Sequence, residues 1–283
     1  MEYQGKAYYE LSERDTRRFR KIILDNLMKS ASLDAAMNDE YDGIGRLAEK
    51  QMHSALKTFI CPDESKHEIK IQDPPLYIPK NQENTKTRKY VADILDGDTI
   101  YEIQTGGFSP LRDKIQWILE NTSYRVVVIH PIAQTKWVSK IGDDGKITGR
   151  RKSSRHGRVE DIAGELYFFR SFLEDPRFSL MIVMMEAEQY VKPQKRGRRL
   201  KKYELIPMSL LGAYLFKSRE DYEYFLPSSL PEQFTVKDYS QHAKIYGMEA
   251  YSMVKTLCGL DLVEECGNIG RAQAYRIKNT DKN

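Results

Sequence analysis

Three residues, Asp93, Glu102 and Gln104, are placed where they could do chemistry. They lie in Ala92-Asp93-Ile94 and Tyr101-Glu102-Ile103-Gln104, two strand-like runs on either side of Asp96-Gly97, a dipeptide that favours tight hairpins. Side chains alternate along a strand, so Glu102 and Gln104 point the same way. A two-residue turn at Asp96-Gly97 pairs Leu95 with Asp98 and Asp93 with Ile100. Asp93 then shares a face with Ile100, Glu102 and Gln104, and Glu102 is its diagonal neighbour. A four-residue loop keeps that parity; an odd-length loop reverses it. The other face carries Ala92, Ile94, Tyr101 and Ile103, an apolar set suited to packing. Two carboxylates on one face repel each other unless a cation lies between them. Hard oxygen ligands with open positions suit Mg²⁺ or Mn²⁺, which can activate water and steady the charge on a phosphodiester. The bland alternative is a solvated sheet face.

The surrounding sequence supplies elements to hold such a site. Arg14 to Lys29 reads as an amphipathic helix with Phe19, Ile22, Ile23 and Leu27 as its stripe. A second helix runs from Arg46 to Ile60, with Ala48, Met52, Ala55, Leu56 and Phe59 on one face, Glu49 at its border and His53 one turn later. His67–Ile71 reads as a strand, and residues 73–87 as a loop. After the hairpin, Ser109 and Pro110 mark a helix start with Ser109 as cap. Leu111, Ile115, Ile118 and Leu119 form that helix's buried face. Arg125 to His130 is a continuous apolar strand of a covered sheet. Strand, helix and strand in this order favour a parallel crossover. Trp137 to Arg158 reads as a strand, a turn at 143–145 and a basic loop. A helix over Glu160–Leu173, a strand over Phe178–Glu188 and a second basic loop over Lys192–Lys202 follow.

A helix with a border Glu, then a strand, an Asp, a Glu-X-(Lys or Gln), a helix and an apolar strand resembles the PD-(D/E)XK nuclease superfamily, the restriction-endonuclease-like fold. The resemblance spans Arg46 to Ile132. The string EIQTGGFSPLRDKI followed by VVVIHPIAQTKW resembles an uncharacterised bacterial branch of it. The resemblance implies an α/β fold with a mixed sheet flanked by helices. It implies Asp93 and Glu102 as metal ligands, the Ile103 carbonyl as another, and Glu49 as the helix carboxylate beside them. Mg²⁺ or Mn²⁺ would be the cofactor. Gln104 stands where lysine is commonest, and offers a dipole in place of a cation. Lys114, on the following helix, is positioned to supply the missing charge, although a solvated helix position is the simpler reading of it.

The C-terminal stretch FTVKDYSQHAKI…AYSMVKTLCGLDLVEECGNIGRAQAYRIK reads as helix, turn, helix and hairpin, and resembles a winged helix-turn-helix domain. The resemblance implies that its second helix enters a DNA major groove. Tyr246, Glu249, Ser252, Met253 and Lys255 would line its outward face, and Arg271 would reach phosphate from the wing. Thr235 to Lys278 holds six Lys/Arg against five Asp/Glu, so a protein partner competes with DNA. Two basic runs strengthen the DNA expectation through counterion release. One carries Arg150, Arg151, Lys152, Arg155 and Arg158; the other carries Lys195, Arg196, Arg198 and Arg199.

Over 283 residues, 40% hydrophobic and 30% charged side chains with a net charge of +4 describe an ordinary soluble chain. No secretion signal or membrane span is legible, and Cys61, Cys258 and Cys266 make neither a zinc pattern nor a disulfide framework. A cytoplasmic protein is expected. The expected organisation is a helical extension over 1–45, a nuclease-like core over 46–205, a helical connection over 206–230 and a winged helix over 231–283. The expected activity is Mg²⁺-dependent DNA endonuclease action in restriction, defence or repair; a homodimer is compatible with it. A DNA-binding regulator and an assembly subunit are the competing readings.

Overall fold

A computed structural model describes residues 8–36, 43–71, 90–142, 146–193 and 200–278, with backbone alone for residues 27, 29–36, 43–50, 193, 201, 203 and 204. The expected loop at 73–87, the turn at 143–145 and the basic residues Lys195, Arg196, Arg198 and Arg199 lie outside these described residues. So does the Glu49 side chain.

One mixed sheet organises the chain. Its strands are β1 (Tyr8–Tyr9), β2 (His67–Lys70), β3 (Val91–Asp96), β4 (Thr99–Ile103), β5 (Arg125–Ile141), β6 (Ile147–Lys152), β7 (Phe178–Pro193) and β8 (Leu200–Phe216). The order is β1-β8-β7-β5-β4-β3-β2, with β6 paired to β5 beyond the end of β4. Strands β4, β5 and β7 run parallel; the others pair antiparallel. The expected crossover is present: α3 (Ser109–Asn121) links β4 to β5.

Alternation along the strands creates two cores. Ile94, Ile103, Ile129, Val183 and Met185 pack beneath α1 (Glu13–Ala36) and α2 (Gly43–Ile60), against Phe19, Met52 and Leu56. Ile100, Val126, Val128, Leu180 and Ile182 pack on the other face beneath α3 and α4 (Ala163–Phe169). Among the described residues no helix is long and apolar enough to cross a membrane.

Several elements differ from expectation for local reasons. Phe108, not Ser109, is the N-cap of α3, and it makes no side-chain cap hydrogen bond. Strand β5 continues through Pro131. The Ile129 carbonyl accepts from Gln104 N on the β4 side, so residue 131 faces that same side, where β4 has already ended and no donor is needed. The basic stretch after 146 is partly an edge strand, β6. The helix expected over Glu160–Leu173 is a 3-10 turn, Val159–Ile162, followed by the seven-residue α4.

The largest difference is β8, a strand of 17 residues where a basic loop and a helical connection were expected. Pro207 and Gly212 both lie within it. Pro207 lies at a register shift against β7, and the α-carbon of Gly212 faces the Tyr8 ring, where a Cβ would come within 2.7 Å.

Beyond a 3-10 segment at Arg219–Phe225, the C-terminal unit comprises α5 (Val236–Ala243), α6 (Met248–Gly259), β9 (Val263–Ile269) and β10 (Ala272–Ile277). Thr235 caps α5 through a capping box with Asp238. Strand β10 pairs with β9, and Phe234 bridges Tyr275. The core of this unit is not its own. Phe234, Tyr239, Val254 and Leu257 belong to the same buried cluster as Leu166, Phe169, Tyr222 and Phe225, and α6 packs on α4. Met253, expected on the outward face of α6, is fully buried as a result.

Candidate functional site

The β3–β4 hairpin turns at Gly97-Asp98. Its register pairs Asp96 with Thr99, Leu95 with Ile100 and Ile94 with Tyr101, two residues further round than a turn at Asp96-Gly97 gives. Gly97, at φ +61°, takes the first central position, where primed hairpin turns need a residue with positive φ. Extending that register would set Asp93 opposite Glu102, but the ladder ends at Ile94–Tyr101, and Ala92, expected on one face with Ile94, joins the α3-side core while Ile94 joins the α2-side core.

At Asp93 the main-chain ladder stops. The Ile103 N–H donates to Asp93 Oδ2 at 2.8 Å, so the side chain takes the place of a main-chain acceptor. The same oxygen lies 3.0 Å from His53 Nε2 on α2. Burial pushes the Asp93 carboxyl up. The His53 hydrogen bond and charge, the Ile103 N–H and the nearby Lys114 cation together outweigh it, and Asp93 titrates below the usual carboxylate range.

Glu102 is 3% exposed. Lys114 Nζ reaches it from α3, 2.6 Å from Oε2, and also donates to the Val91 carbonyl at 2.5 Å. The ammonium is equally close to Oε1, at 2.6 Å, but is not directed at it as a hydrogen bond, and Oε1 is buried without a hydrogen-bond partner. Burial raises the Glu102 carboxyl to about 7 and Asp93 adds to the rise, while Lys114 opposes it through charge and hydrogen bond. Asp93 and Glu102 are therefore a divided pair, one stabilised as the anion and the other poised near neutrality.

Gln104 turns its amide to the Gly107 carbonyl at 2.5 Å. Beside it, His130 Nδ1 lies 2.6 Å from the Gln104 carbonyl; a carbonyl only accepts, so Nδ1 carries the proton. Burial lowers the His130 pKa, against the Gln104 bond and the Glu165 charge. Glu165 on α4 accepts from Phe108 N at 2.6 Å and fixes the glycine turn that starts α3. Among the described residues no group of three or more His, Cys, Asp or Glu side chains is arranged to hold a metal ion.

Glu102 and Lys114 are thus in contact, with Asp93 within electrostatic reach of both, whereas the Gln104 side chain turns to Gly107. His53 touches Asp93, and its place one turn after Glu49 was the available signal. Glu165 had no sequence signal, because the contact is 57 residues long-range.

The expected DNA contacts divide. Arg150 stacks over Trp137, its guanidinium carbon 4.0 Å from the ring centroid, and is paired with Glu188. Arg158 donates to the Lys244 carbonyl at 2.7 Å and ties the C-terminal unit to the core. Lys255 is paired with Glu265 at 2.6 Å, and Ser252 is half-buried. Arg151, Lys152, Arg155 and Arg271 are exposed.

Residues 75–213 match the model of a domain of unknown function, DUF8091. That stretch includes Asp93, Glu102, Gln104, Lys114, His130 and Glu165, and excludes α1, α2 and the C-terminal unit. An uncharacterized protein of Treponema pallidum (strain Nichols) is 27% identical over 203 residues, covering 70% of this chain and 74% of its own. No solved structure matches.

Proposed function

We propose that the chain is a Mg²⁺- or Mn²⁺-dependent DNA endonuclease with the restriction-endonuclease-like fold and a C-terminal winged helix. One observation carries the reading: a buried carboxylate, Glu102, lies within electrostatic reach of Asp93, one of its oxygens has no hydrogen-bond partner, and the Lys114 ammonium stands 2.6 Å from that oxygen. Buried carboxylate charge is costly without a cation; Lys114 supplies one, and a divalent ion shared with Asp93 would supply more. The donor set suits a hard divalent ion, which usually takes one or two carboxylates and leaves its other positions to water and phosphate.

Asp93 and Glu102 would hold the ion, with the Ile103 carbonyl as a further oxygen. When bound, it would supply Lewis acidity toward a phosphodiester and a nucleophile at neutral pH. His53 and the Ile103 N–H orient Asp93 and keep it ionised. Lys114 places on α3 the positive charge that Gln104 lacks just past β4, where it can oppose negative charge developing on the phosphate. The helix-turn-helix and hairpin, closed by the Phe234–Tyr275 bridge, support the winged-helix assignment.

A second reading, an assembly or regulatory subunit, is favoured by the surface of the C-terminal unit. Around α6 it presents Tyr246, Met248 and Tyr251, exposed by 66%, 75% and 44%, where a groove-reading helix would present cations and amides. Incubation of the purified chain with plasmid DNA in Mg²⁺, Mn²⁺ or EDTA separates the two. The endonuclease reading expects nicked or linear product with either ion and none in EDTA. Intact plasmid under all three conditions would overturn it in favour of the subunit reading.

A further inference from the structure

Between β4 and α3 the chain makes a short passage, Gln104 to Phe108, that decides how Glu102 and Lys114 meet. Glu102 is the penultimate residue of β4, and Lys114 lies near the middle of α3. The ammonium reaches Glu102 Oε2 at 2.6 Å and the Val91 carbonyl at 2.5 Å. It makes both contacts only if α3 starts at one place and points one way, because a rigid helix carries any tilt at its start out to its side chains.

That start has no cap of its own. Phe108 is the N-cap residue and its side chain accepts no hydrogen bond. A capping box would place Glu or Gln at the third helical position to hold the N-cap N–H, and Leu111 stands there instead. Glu165 takes that role from α4, 57 residues away in sequence: its Oε2 accepts from the Phe108 N–H at 2.6 Å. A carboxylate also suits the positive end of the α3 dipole. The fit is close, since a Cβ on Gly107 would stand 3.3 Å from both Glu165 oxygens.

The support behind Glu165 is firm on both sides. The Phe108 ring stacks on Phe169 of α4 with centroids 4.6 Å apart, and meets His130 edge-on at 5.1 Å. His130 in turn donates to the Gln104 carbonyl at 2.6 Å, so the passage is held at each end by a side chain from another element. On its far side α4 packs against α6, with Leu166 and Phe169 in the shared cluster. Gly164 lies against Glu249 of α6, where a Cβ would come 3.4 Å from Glu249 Cγ.

We infer that Glu165 is a positioning residue for the Asp93–Glu102 site: by holding the Phe108 N–H it sets where α3 begins, and so keeps the Lys114 ammonium on Glu102. The inference rests on the endonuclease reading for its rate measurement, whereas the Lys114 contact is measured without DNA. Reach, rather than charge, is the property Glu165 supplies, so an amide of the same length can replace it and a shorter carboxylate cannot.

The test is amine acetylation of the native full chain, with the rate at each lysine read by peptide mass spectrometry. Lys57, paired with Glu68 on α2 and 10% exposed against 15% for Lys114, is the internal control. Glu165→Ala should speed acetylation of Lys114 on the order of tenfold, the factor given by one lost charge-assisted hydrogen bond, and leave Lys57 unchanged. Melting should fall by only about 2–4 °C, as for one lost cap in a chain of this size. In plasmid cleavage kcat should drop on the order of 10- to 100-fold with KM held, the pattern of a misplaced group rather than lost binding. Glu165→Gln should restore both readings. Should Glu165→Ala fail to fold, Glu165→Asp withdraws the oxygen by one methylene and should behave as expected for alanine. A folded Ala or Asp variant whose Lys114 reacts no faster than in wild type would overturn the inference. So would equal acceleration of Lys57, or a Gln variant no better than alanine. Absence of cleavage by wild type would overturn the endonuclease reading alone.

Discussion

Lys114→Ala is expected to destabilise the protein at both pH 8 and pH 5, and more at pH 8 by up to about 1.4 kcal/mol, the value of one pKa unit between about 7 and 8. At pH 8 the buried Glu102 is ionised, and the substitution removes the cation 2.6 Å away. At pH 5 Glu102 is protonated, because burial raises it to about 7, and it needs no counter-charge. The sign of the wild-type dependence follows from the same shift. A carboxyl whose folded pKa lies above its unfolded value of about 4.3 contributes stability that is fully present below that value. The contribution is lost as pH rises through about 7. The variant lacks the opposing lysine, so its loss should extend further upward in pH. Urea unfolding at both pH values checks this, with Glu102→Gln/Lys114→Ala as the closing member of a double-mutant cycle. The double variant should recover the part of the loss that is specific to pH 8. Equal losses at both pH values would mean that Lys114 acts by packing alone.

Deleting residues from Pro231 onward is expected to abolish cooperative unfolding of what remains. The sequence reads as a core followed by an independent unit, and on that reading the truncated chain should stand alone. The packing argues otherwise. Tyr239 donates to the Phe225 carbonyl, Arg219 to the Asp261 carbonyl and Arg158 to the Lys244 carbonyl, all across the would-be boundary. Truncation would uncover Leu166, Phe169, Tyr222 and Phe225, each between 0% and 2% exposed in the full chain. Large apolar side chains contribute about 1.5–3 kcal/mol each when buried. Four of them approach the whole stability of a typical domain, about 5–15 kcal/mol. A circular-dichroism melt measures the outcome. A sharp transition within a few degrees of the full chain would contradict the shared core.

The candidate residues were legible because strand alternation and the hairpin turn are local signals. Alternation predicts one face for Asp93 and Glu102 with the turn at Asp96-Gly97 or Gly97-Asp98, but the ladder ends at Ile94–Tyr101, and Asp93 meets His53 of α2 while Glu102 meets Lys114 of α3. Lys114 was legible as a candidate because its helix follows the strand directly. The full lengths of β5 and β8 were not legible. Strand β5 runs through Pro131, which is tolerated only because β4 stops just before it. Strand β8 contains Pro207 and Gly212, whose permissive settings, a bulge and the Tyr8 ring, come from distant segments. The same holds for the basic residues. Arg150 and Lys152 look alike in a charged run, and only the fold commits Arg150 to Trp137 and Glu188 while leaving Lys152 exposed.

The central claim is that Asp93 and Glu102 carry phosphodiester cleavage, and Asp93→Ala tests it most directly. Wild type and variant are compared for conversion of supercoiled plasmid in Mn²⁺, with matched melting temperatures and duplex binding measured in EDTA. Wild type should nick or linearise the plasmid. The variant should lose at least about a thousandfold in rate, since it removes the anionic partner of the site. Its duplex affinity should be unchanged or tighter, because one negative charge fewer faces the phosphates. A folded Asp93→Ala protein that cuts as fast as wild type would contradict the account.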